Sequence, residues 1–195
     1  MYGDRVPRLW NATIDEHRRT VHAAILDAAA ALTAQHGLAG VTMSQIAAEV
    51  GIGRATLYKY FPDVEAIVLA WHERQVTGHL DQLRAVASST TDPAERLRLV
   101  LRTYADLSAG RHQHSVEFAV PLHRAVHMHH ARRELHGLLT EVIRAAAEVH
   151  AARTDMPAGE LATFSLHALA AGGELPTKKA RERLVTLTLA ALGST

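Results

Sequence analysis

The sequence contains no cysteine, which excludes disulfide bonds and thiolate chemistry. It has no run of 18 or more apolar residues, so we expect neither a membrane span nor a membrane partner. The first ten residues lack the basic-then-apolar order of a signal peptide. Together these absences predict a cytoplasmic protein.

Motifs for enzyme chemistry are also missing. The chain has no Gly-rich phosphate loop, no nucleotide-binding fingerprint and no Ser nucleophile elbow. Histidines are abundant, but no positioned nucleophile accompanies them. We therefore predict that the protein is not an enzyme and needs no cofactor.

An excess of positive charge is missing as well. Residues 1–80 contain 7 Lys and Arg against 8 Asp and Glu, and residues 81–195 contain 14 against 12. A strongly basic nucleic-acid domain would show a clear surplus of Lys and Arg. A few locally placed cations would have to carry any binding to DNA.

What remains is a helix-forming composition. Aromatic residues make up 5% of the chain, glycine and proline are sparse, and 48% of residues are apolar against 21% charged. Strand-like alternation is absent, and apolar residues recur at helical spacing. We predict an all-α protein with a flexible arm over residues 1–15, a three-helix unit over 16–63 and a larger helical body over 64–195.

Short-range signals give the first helix boundaries. A helix over 16–36 should end at Gly37, and Thr42 with Gln45 forms a capping box that opens a helix ending at Val50. Gly51 should break this helix. A third helix is expected from Arg54 to Phe61, followed by Pro62 and by Asp63 as the cap of a linking helix over 64–87.

The larger body begins after the loop-like stretch SSTTDP, where Asp92 and Pro93 mark a new helix start. Periodicity and breaks at Gly110, TDMPAG and GGELPT predict the remaining helices. These are Pro93–Ala109, Val116–His129, Ala131–Ala152, Pro157–Ala171 and Thr177–Leu192.

The stretch from Val41 to Asp63 has the pattern of a helix-turn-helix. Ala47 is small where the two helices would cross, and Gly51 permits the turn. Apolar residues that would hold the helices together recur at fixed spacing: Ile46, Val50, Ile52, Leu57 and Tyr60. A plain αα-hairpin that only packs is the competing interpretation.

The outward face of the second helix favours DNA reading over plain packing. Once Leu57 enters the core, the helix presents Arg, Thr, Tyr and Lys side chains to solvent. Arg can bind guanine through two hydrogen bonds, and Thr can contact a thymine methyl or a phosphate. Such a face suits the major groove.

The segment VTMSQIAAEVGIGRATLYKYFPDVEAI, and within it TLYKYF, resembles the DNA-binding signature of the TetR family of bacterial regulators. The similarity extends from about Arg18 to Ala70. The family implies a homodimer on a double-stranded DNA operator, usually a repressor released by a small-molecule effector. By this resemblance residues 16–63 are the DNA-binding domain, and residues 64–195 bind effector and dimerise.

The resemblance also implies which residues meet DNA. Thr42 and Ser44 would contact phosphate, Arg54 and Thr56 would read bases, and the remaining positions would shape the surface or hold the backbone. The full predicted set is Thr42, Ser44, Gly53, Arg54, Ala55, Thr56, Tyr58, Lys59 and Tyr60.

Three features depart from the family pattern or lie outside it. Val64 stands where many members have a phosphate-binding Lys, which removes one contact, and Gly53 replaces a commoner Ser and offers no side-chain cap. Arg5 and Arg8 precede the similar region. They either reach a minor groove or lie in a solvated arm.

The family implies that the last two helices form the dimer. They carry many large apolar residues: Leu161, Phe164, Leu166, Leu169, Leu184, Leu187, Leu189 and Leu192. Burial within one chain is the alternative account. Candidate effector-binding residues in the body are Tyr104, Phe118, His123, His127, Phe164 and His167.

The 14 histidines leave several interpretations open. His123, His127 and His130 lie on one helical face, and such spacing can bind zinc, although no diagnostic carboxylate accompanies them. They can also line an organic-ligand pocket, or be solvated or core residues. An alternative function for the whole chain is a small-molecule or metal carrier in which the helix-turn-helix is only scaffold.

Overall fold

The structure is a computed structural model that describes residues 8–113 and 123–193, with side chains described for 14–109 and 130–193. These residues form helices and turns and contain no strand, in agreement with the predicted all-α fold. The α-helices are α1 (Arg8–His36), α2 (Met43–Val50), α3 (Arg54–Leu57), α4 (Val64–Ser88), α5 (Pro93–Gln113), α6 (His123–Glu148), α7 (Ala158–Ala170) and α8 (Lys178–Leu192). Short 3₁₀ helices cover Leu38–Gly40 and Ala171–Glu174.

The chain divides into an N-terminal unit, Met1–Arg74, and a C-terminal unit, Gln75–Thr195. The N-terminal core contains Ile25, Ile46, Leu57 and Ile67, which are fully buried. The unit ends beyond the boundary predicted at residue 63, because the first turns of α4 supply Ile67 and the partly buried Trp71 to this core. The division therefore falls within α4.

α1 begins at Arg8, so the prediction of a flexible arm over residues 1–15 is wrong for residues 8–15. Neither Pro nor Gly interrupts the chain between Arg8 and His36, so nothing stops the helix before Pro7. Apolar periodicity missed this start because the early turns do not pack: every side chain from Ile14 to Thr20 is exposed.

Local capping signals predicted three further helix boundaries correctly. Gly37 ends α1 with a positive φ of 71°, which favours glycine, and its N–H donates to the Thr33 carbonyl at 2.9 Å. Asp63 caps α4, since its Oδ1 accepts a hydrogen bond from the Ala66 N–H at 2.8 Å. Asp92 caps α5 through the Ala94 N–H at 3.0 Å.

In the C-terminal unit, α5 packs against α6, α7 and α8. Their shared core includes Leu97, Leu101, Ile143 and Leu169, all nearly or fully buried. Apolar burial on this scale stabilises each long helix far more than its local propensity does.

Two predicted breaks in this unit are wrong. α5 continues through Gly110 to Gln113, because a glycine costs about 1 kcal/mol in a helix and the preceding turns are anchored by buried Leu101 and Ala105. α6 is continuous across His130, where we predicted a boundary between two helices. No Pro or Gly lies between His123 and His136 to end it. The predicted start at Val116 lies outside the described residues.

α6 ends at Glu148 instead of Ala152 because His150 adopts a left-handed conformation with φ 60°. Such a residue closes a helix as glycine normally does: the Ala151 N–H donates to the Ala146 carbonyl at 2.8 Å. α7 and α8 begin within one residue of their predicted starts, and Thr177 caps α8 through the Ala180 N–H at 3.1 Å. Among the described residues, none of the helices has the length and apolar content needed to cross a bilayer.

Candidate nucleic-acid interface

The first helix of the motif, α2, starts with the predicted capping box. The Gln45 N–H donates to Thr42 Oγ1 at 3.3 Å, and the Thr42 N–H donates to Gln45 Oε1 at 2.8 Å. Thr42 and Ser44 are both exposed at this helix end. Helix N-termini present N–H groups and positive potential to anions, so this end is suited to phosphate.

The turn between the helices depends on Gly51, whose φ of 73° and ψ of 30° lie in the left-handed region. A side chain there would meet no atom within 4 Å, so the need for glycine is conformational. The following Ile52 N–H donates to the Ala47 carbonyl at 2.9 Å, which closes α2. Ala47 is buried, as a close crossing of two helices requires.

The second helix of the motif, α3, is anchored by Leu57, which is fully buried. The Gly53 carbonyl accepts hydrogen bonds from the Thr56 N–H at 2.9 Å and the Leu57 N–H at 3.0 Å. Gly53 makes no side-chain cap, as predicted. The predicted outward face is exposed, with Tyr58 at 48%. Its members are Gly53, Arg54, Ala55, Thr56, Tyr58 and Lys59.

α3 is shorter than the predicted Arg54–Phe61. Regular α-helix ends at Leu57, and the chain then tightens: the Lys59 N–H donates to the Thr56 carbonyl at 3.1 Å and the Tyr60 N–H to Leu57 at 2.9 Å. Hydrogen bonds from an N–H to the carbonyl of the third preceding residue are typical of a 3₁₀ turn at the end of an α-helix. Phe61, buried in the core, holds this turn in place.

Charge on this surface is unneutralised. Among the residues that the structure describes, Arg54 and Lys59 take part in no ion pair. Asp63 Oδ1 accepts the capping hydrogen bond of α4 from the Ala66 N–H. By contrast, Arg74 of the same unit pairs with Asp27. Two cations thus stand outward although the unit as a whole carries no positive excess.

Tyr60 differs from its neighbours because it is half-buried and packs against the N-terminal core. His22 of α1 lies beside it, with ring centroids 6.4 Å apart, and 5.1 Å from the ring of Phe61. Sequence reasoning gave His22 no role. Its position three residues before buried Ile25, on the same stripe of α1, was the available signal.

Val64 is half-buried against the N-terminal core, so the position that carries a Lys in many family members has a packing role here. Arg5 lies outside the described residues, and Arg8 is the first residue of α1.

Of the candidate effector residues, Tyr104, Phe164 and His167 have described side chains. Tyr104 is buried and lines a cavity of about 80 Å³ in the C-terminal unit, formed by side chains of α4, α5 and α6. Phe164, at 47%, and His167 are exposed on α7 and are not among its described lining residues. Their role in ligand binding stays a prediction.

The other histidine candidates fall partly outside the described structure. Phe118 lies in the undescribed segment, and only the backbone of His123 and His127 is described. The Nε2 atom of His130 lies 3.1 Å from Glu134 Oε1. Among described side chains, no group of three or more His, Asp or Glu is arranged to hold a metal ion.

The comparisons with known proteins agree with this geometry. Residues 25–71 match the family model described as bacterial regulatory proteins, tetR family. An uncharacterized HTH-type transcriptional regulator of Mycobacterium tuberculosis is 39% identical over 88 residues, 44% of either chain. The fatty acid metabolism regulator protein of Bacillus subtilis is 26% identical over 97 residues, 50% of either chain. The chain thus matches about half the length of these curated relatives.

Similarity in fold extends further than similarity in sequence. A TetR/AcrR-family transcriptional regulator from Thermobifida fusca superposes with a TM-score of 0.77 at 17% identity, covering 86% of this chain and 96% of its own. FadR from Bacillus subtilis, solved with stearoyl-CoA, gives 0.70 at 15% identity, covering 87% and 98%. The fold and this surface define a helix-turn-helix protein. Its residues 25–71 are similar to the tetR family of bacterial regulatory proteins, and the fold of the chain is shared with a solved TetR/AcrR-family structure.

Proposed function

We propose that the protein is a homodimeric transcriptional regulator that represses from a double-stranded DNA operator and leaves it when a small molecule binds the C-terminal unit. The observation that carries this proposal is the outward face of α3. Buried Leu57 and the Gly51 turn hold that face in a defined orientation, with Arg54 and Lys59 outside any ion pair of the described residues.

The residues of this surface take different roles. Arg54 and Thr56 read base edges, while Tyr58, Lys59 and half-buried Tyr60 hold the phosphate backbone. Gly53 and Ala55 are small and let the backbone of α3 approach the groove. Thr42 and Ser44, both exposed at the start of α2, bind phosphate, and the positive end of the helix dipole supports the contact.

The exposed apolar residues of α7 and α8 support the dimer. Phe164 and Leu187 are 47% and 68% exposed, and small exposed neighbours such as Thr163 and Ala190 would let two helices approach closely. Leu161, Leu169 and Leu192, also among the predicted dimer residues, are buried within their own chain instead. Phe164→Glu and Leu187→Glu should therefore give monomers by light scattering, whereas the exposed Met156→Glu should not.

Release from DNA requires an effector that prefers a conformer in which the two recognition helices no longer fit adjacent grooves. The cavity beside Tyr104 supports an effector site within the C-terminal unit. Tyr104, one of the predicted ligand residues, lines it. Its filling by a small molecule is the step that we assign to release.

DNA binding is tested with a duplex selected by the protein from a random library. Arg54→Ala should lower discrimination against a mismatched base by about 1–3 kcal/mol. Lys59→Ala should weaken binding to all sequences and lower the salt slope by about 1. Lys179→Ala, an exposed cation of the C-terminal unit, is the matched control and should change neither.

If Arg54→Ala and Lys59→Ala both bind like the unaltered protein, α3 does not read DNA and the proposal fails. Retained small-molecule binding without any DNA affinity would instead support a carrier in which the helix-turn-helix is scaffold.

A further inference from the structure

The cavity in the C-terminal unit has a largely apolar interior. Its aliphatic lining comes from α4, α5 and α6, namely Val76, Leu80, Leu83, Leu107, Ala131 and Leu135. Tyr104, His79 and Arg132 complete the described lining. Ligand sites of this kind combine an apolar body with a few polar groups that orient the ligand.

The volume of about 80 Å³ limits what can enter. An engineered cavity of roughly 150 Å³ is large enough to bind benzene. This cavity has about half that volume, so a ring would have to force its walls apart. An unbranched aliphatic chain is narrower and can enter from one end, with the rest of the ligand extending through the mouth.

Among the described lining residues, Arg132 carries a positive charge. No carboxylate is among the described lining residues, and exposed Arg132 forms no ion pair within the described structure. Leu135 and His136, one helical turn further along α6, are not acidic. Glu134, the nearest acid in sequence, is already engaged by Arg84 at 2.9 Å and by His130 at 3.1 Å.

We propose that this cavity binds an unbranched aliphatic monocarboxylate, with the chain among the apolar side chains and the carboxylate at Arg132. The inference rests on the proposed function, in which this cavity is the effector site. A guanidinium can bind a carboxylate through two parallel N–H donors, and the apolar interior favours the hydrocarbon chain. A neutral or cationic head group would leave Arg132 uncompensated.

The test uses three six-carbon probes that differ only in the head group: hexanoate, hexan-1-ol and hexylamine. Calorimetric titration of the full chain should show hexanoate binding roughly fivefold more tightly than hexan-1-ol, as expected for a partly exposed ion pair. Hexylamine should bind more weakly than either. Equal affinity for hexanoate and hexan-1-ol, or no binding by any probe, would overturn the proposal.

Single-residue variants test whether Arg132 causes the preference for hexanoate. Arg132→Ala should bring hexanoate down to the affinity of hexan-1-ol, whereas Arg133→Ala, exposed on the same helix but not part of the described lining, should keep the preference. Ala131→Leu should fill the cavity and abolish binding of both probes, with helical circular dichroism as the check on folding. A preference for hexanoate that survives Arg132→Ala contradicts the proposed contact.

A DNA titration separates this inference from the proposed function. If hexanoate binds more tightly than hexan-1-ol but the chain binds no DNA, the proposed ligand class is supported and the regulatory function fails. If DNA binding is intact and hexanoate binds no better than hexan-1-ol, the ligand class fails alone. With both correct, saturating hexanoate lowers the affinity for the selected duplex.

Discussion

The outward face of α3 in the N-terminal unit and the helix contacts of the C-terminal unit use cations differently. In the N-terminal unit Arg54 and Lys59 stand on an exposed face without an ion pair in the described structure. In the C-terminal unit arginines tie helices together: Arg84 reaches Glu134 at 2.9 Å, and Arg102 reaches Glu182 at 3.1 Å. A surface with unpaired cations can bind an anionic partner, whereas cations in ion pairs stabilise the unit that contains them.

The largest expected effect tests whether the two units are stabilised separately. Leu57→Ala and Ile143→Ala each remove a fully buried side chain from one core and should lower the free energy of unfolding by about 2–5 kcal/mol. Hydrogen-exchange mass spectrometry should show lost protection mainly in the unit that carries the change. Equal losses in both units for either variant would mean that the chain unfolds as one.

A smaller effect comes from two glycines, one in each unit. Gly51→Ala should destabilise by about 1–2 kcal/mol, because its left-handed φ of 73° disfavours any side chain even though space is available. Gly78→Ala, in α4 with nothing near its added Cβ, should stabilise by about 0.5–1 kcal/mol. Urea unfolding measures both. A neutral Gly51→Ala would show that the turn does not depend on glycine.

The ion pairs of the C-terminal unit should contribute less. Glu134→Gln keeps the side-chain shape but removes the charge that faces Arg84 and His130, and should cost less than about 1 kcal/mol at low salt. High salt should shrink the difference by screening. Glu141→Gln, exposed and outside any ion pair of the described residues, is the control. A loss that persists in high salt would indicate a packing role for Glu134.

The smallest effect is a pH dependence at Arg153 and Asp155. The Arg153 guanidinium donates hydrogen bonds to the Asp155 carboxylate at 2.6 and 2.5 Å and lowers the pKa of that carboxyl below its usual 3.8. A lowered folded-state pKa means that the pair stabilises above pH 3.8, and that this contribution is lost as the pH falls through the lower value. In thermal unfolding, the difference between Asp155→Asn and the unaltered chain should therefore vanish in acid and persist near neutral pH.

Sequence reasoning succeeded wherever a signal acts within a few residues. Thr42 with Gln45, Gly51 and Asp63 each satisfy or release backbone groups of their own helix end, so the residue type alone predicts the boundary. The apolar set around Leu57 was equally predictable, because helical spacing decides which side of α3 faces inward. The proposed DNA-contacting face follows from that choice.

It failed where burial overrides local preference. Gly110 looked like a break, yet α5 runs through it because packing of the preceding turns outweighs a glycine penalty of about 1 kcal/mol. A boundary was also predicted at His130, where α6 continues because no Pro or Gly ends it. The beginning of α1 was missed for the opposite reason: its exposed residues carry no apolar pattern although they are helical. Tertiary packing leaves Phe164 and His167 on the exposed side of α7, and their role in ligand binding stays a prediction.

Residue order alone therefore decides the helix-turn-helix, its caps and its outward cations, since each depends on contacts a few positions apart. The spacing within one helical turn is enough to place Leu57 in the core and Arg54 and Lys59 on the exposed side. Only tertiary structure brings Val76, Tyr104 and Arg132 to a common cavity, and lays His22 against Tyr60. Those residues are tens of positions apart, and burial of apolar surface, not local geometry, brings them together.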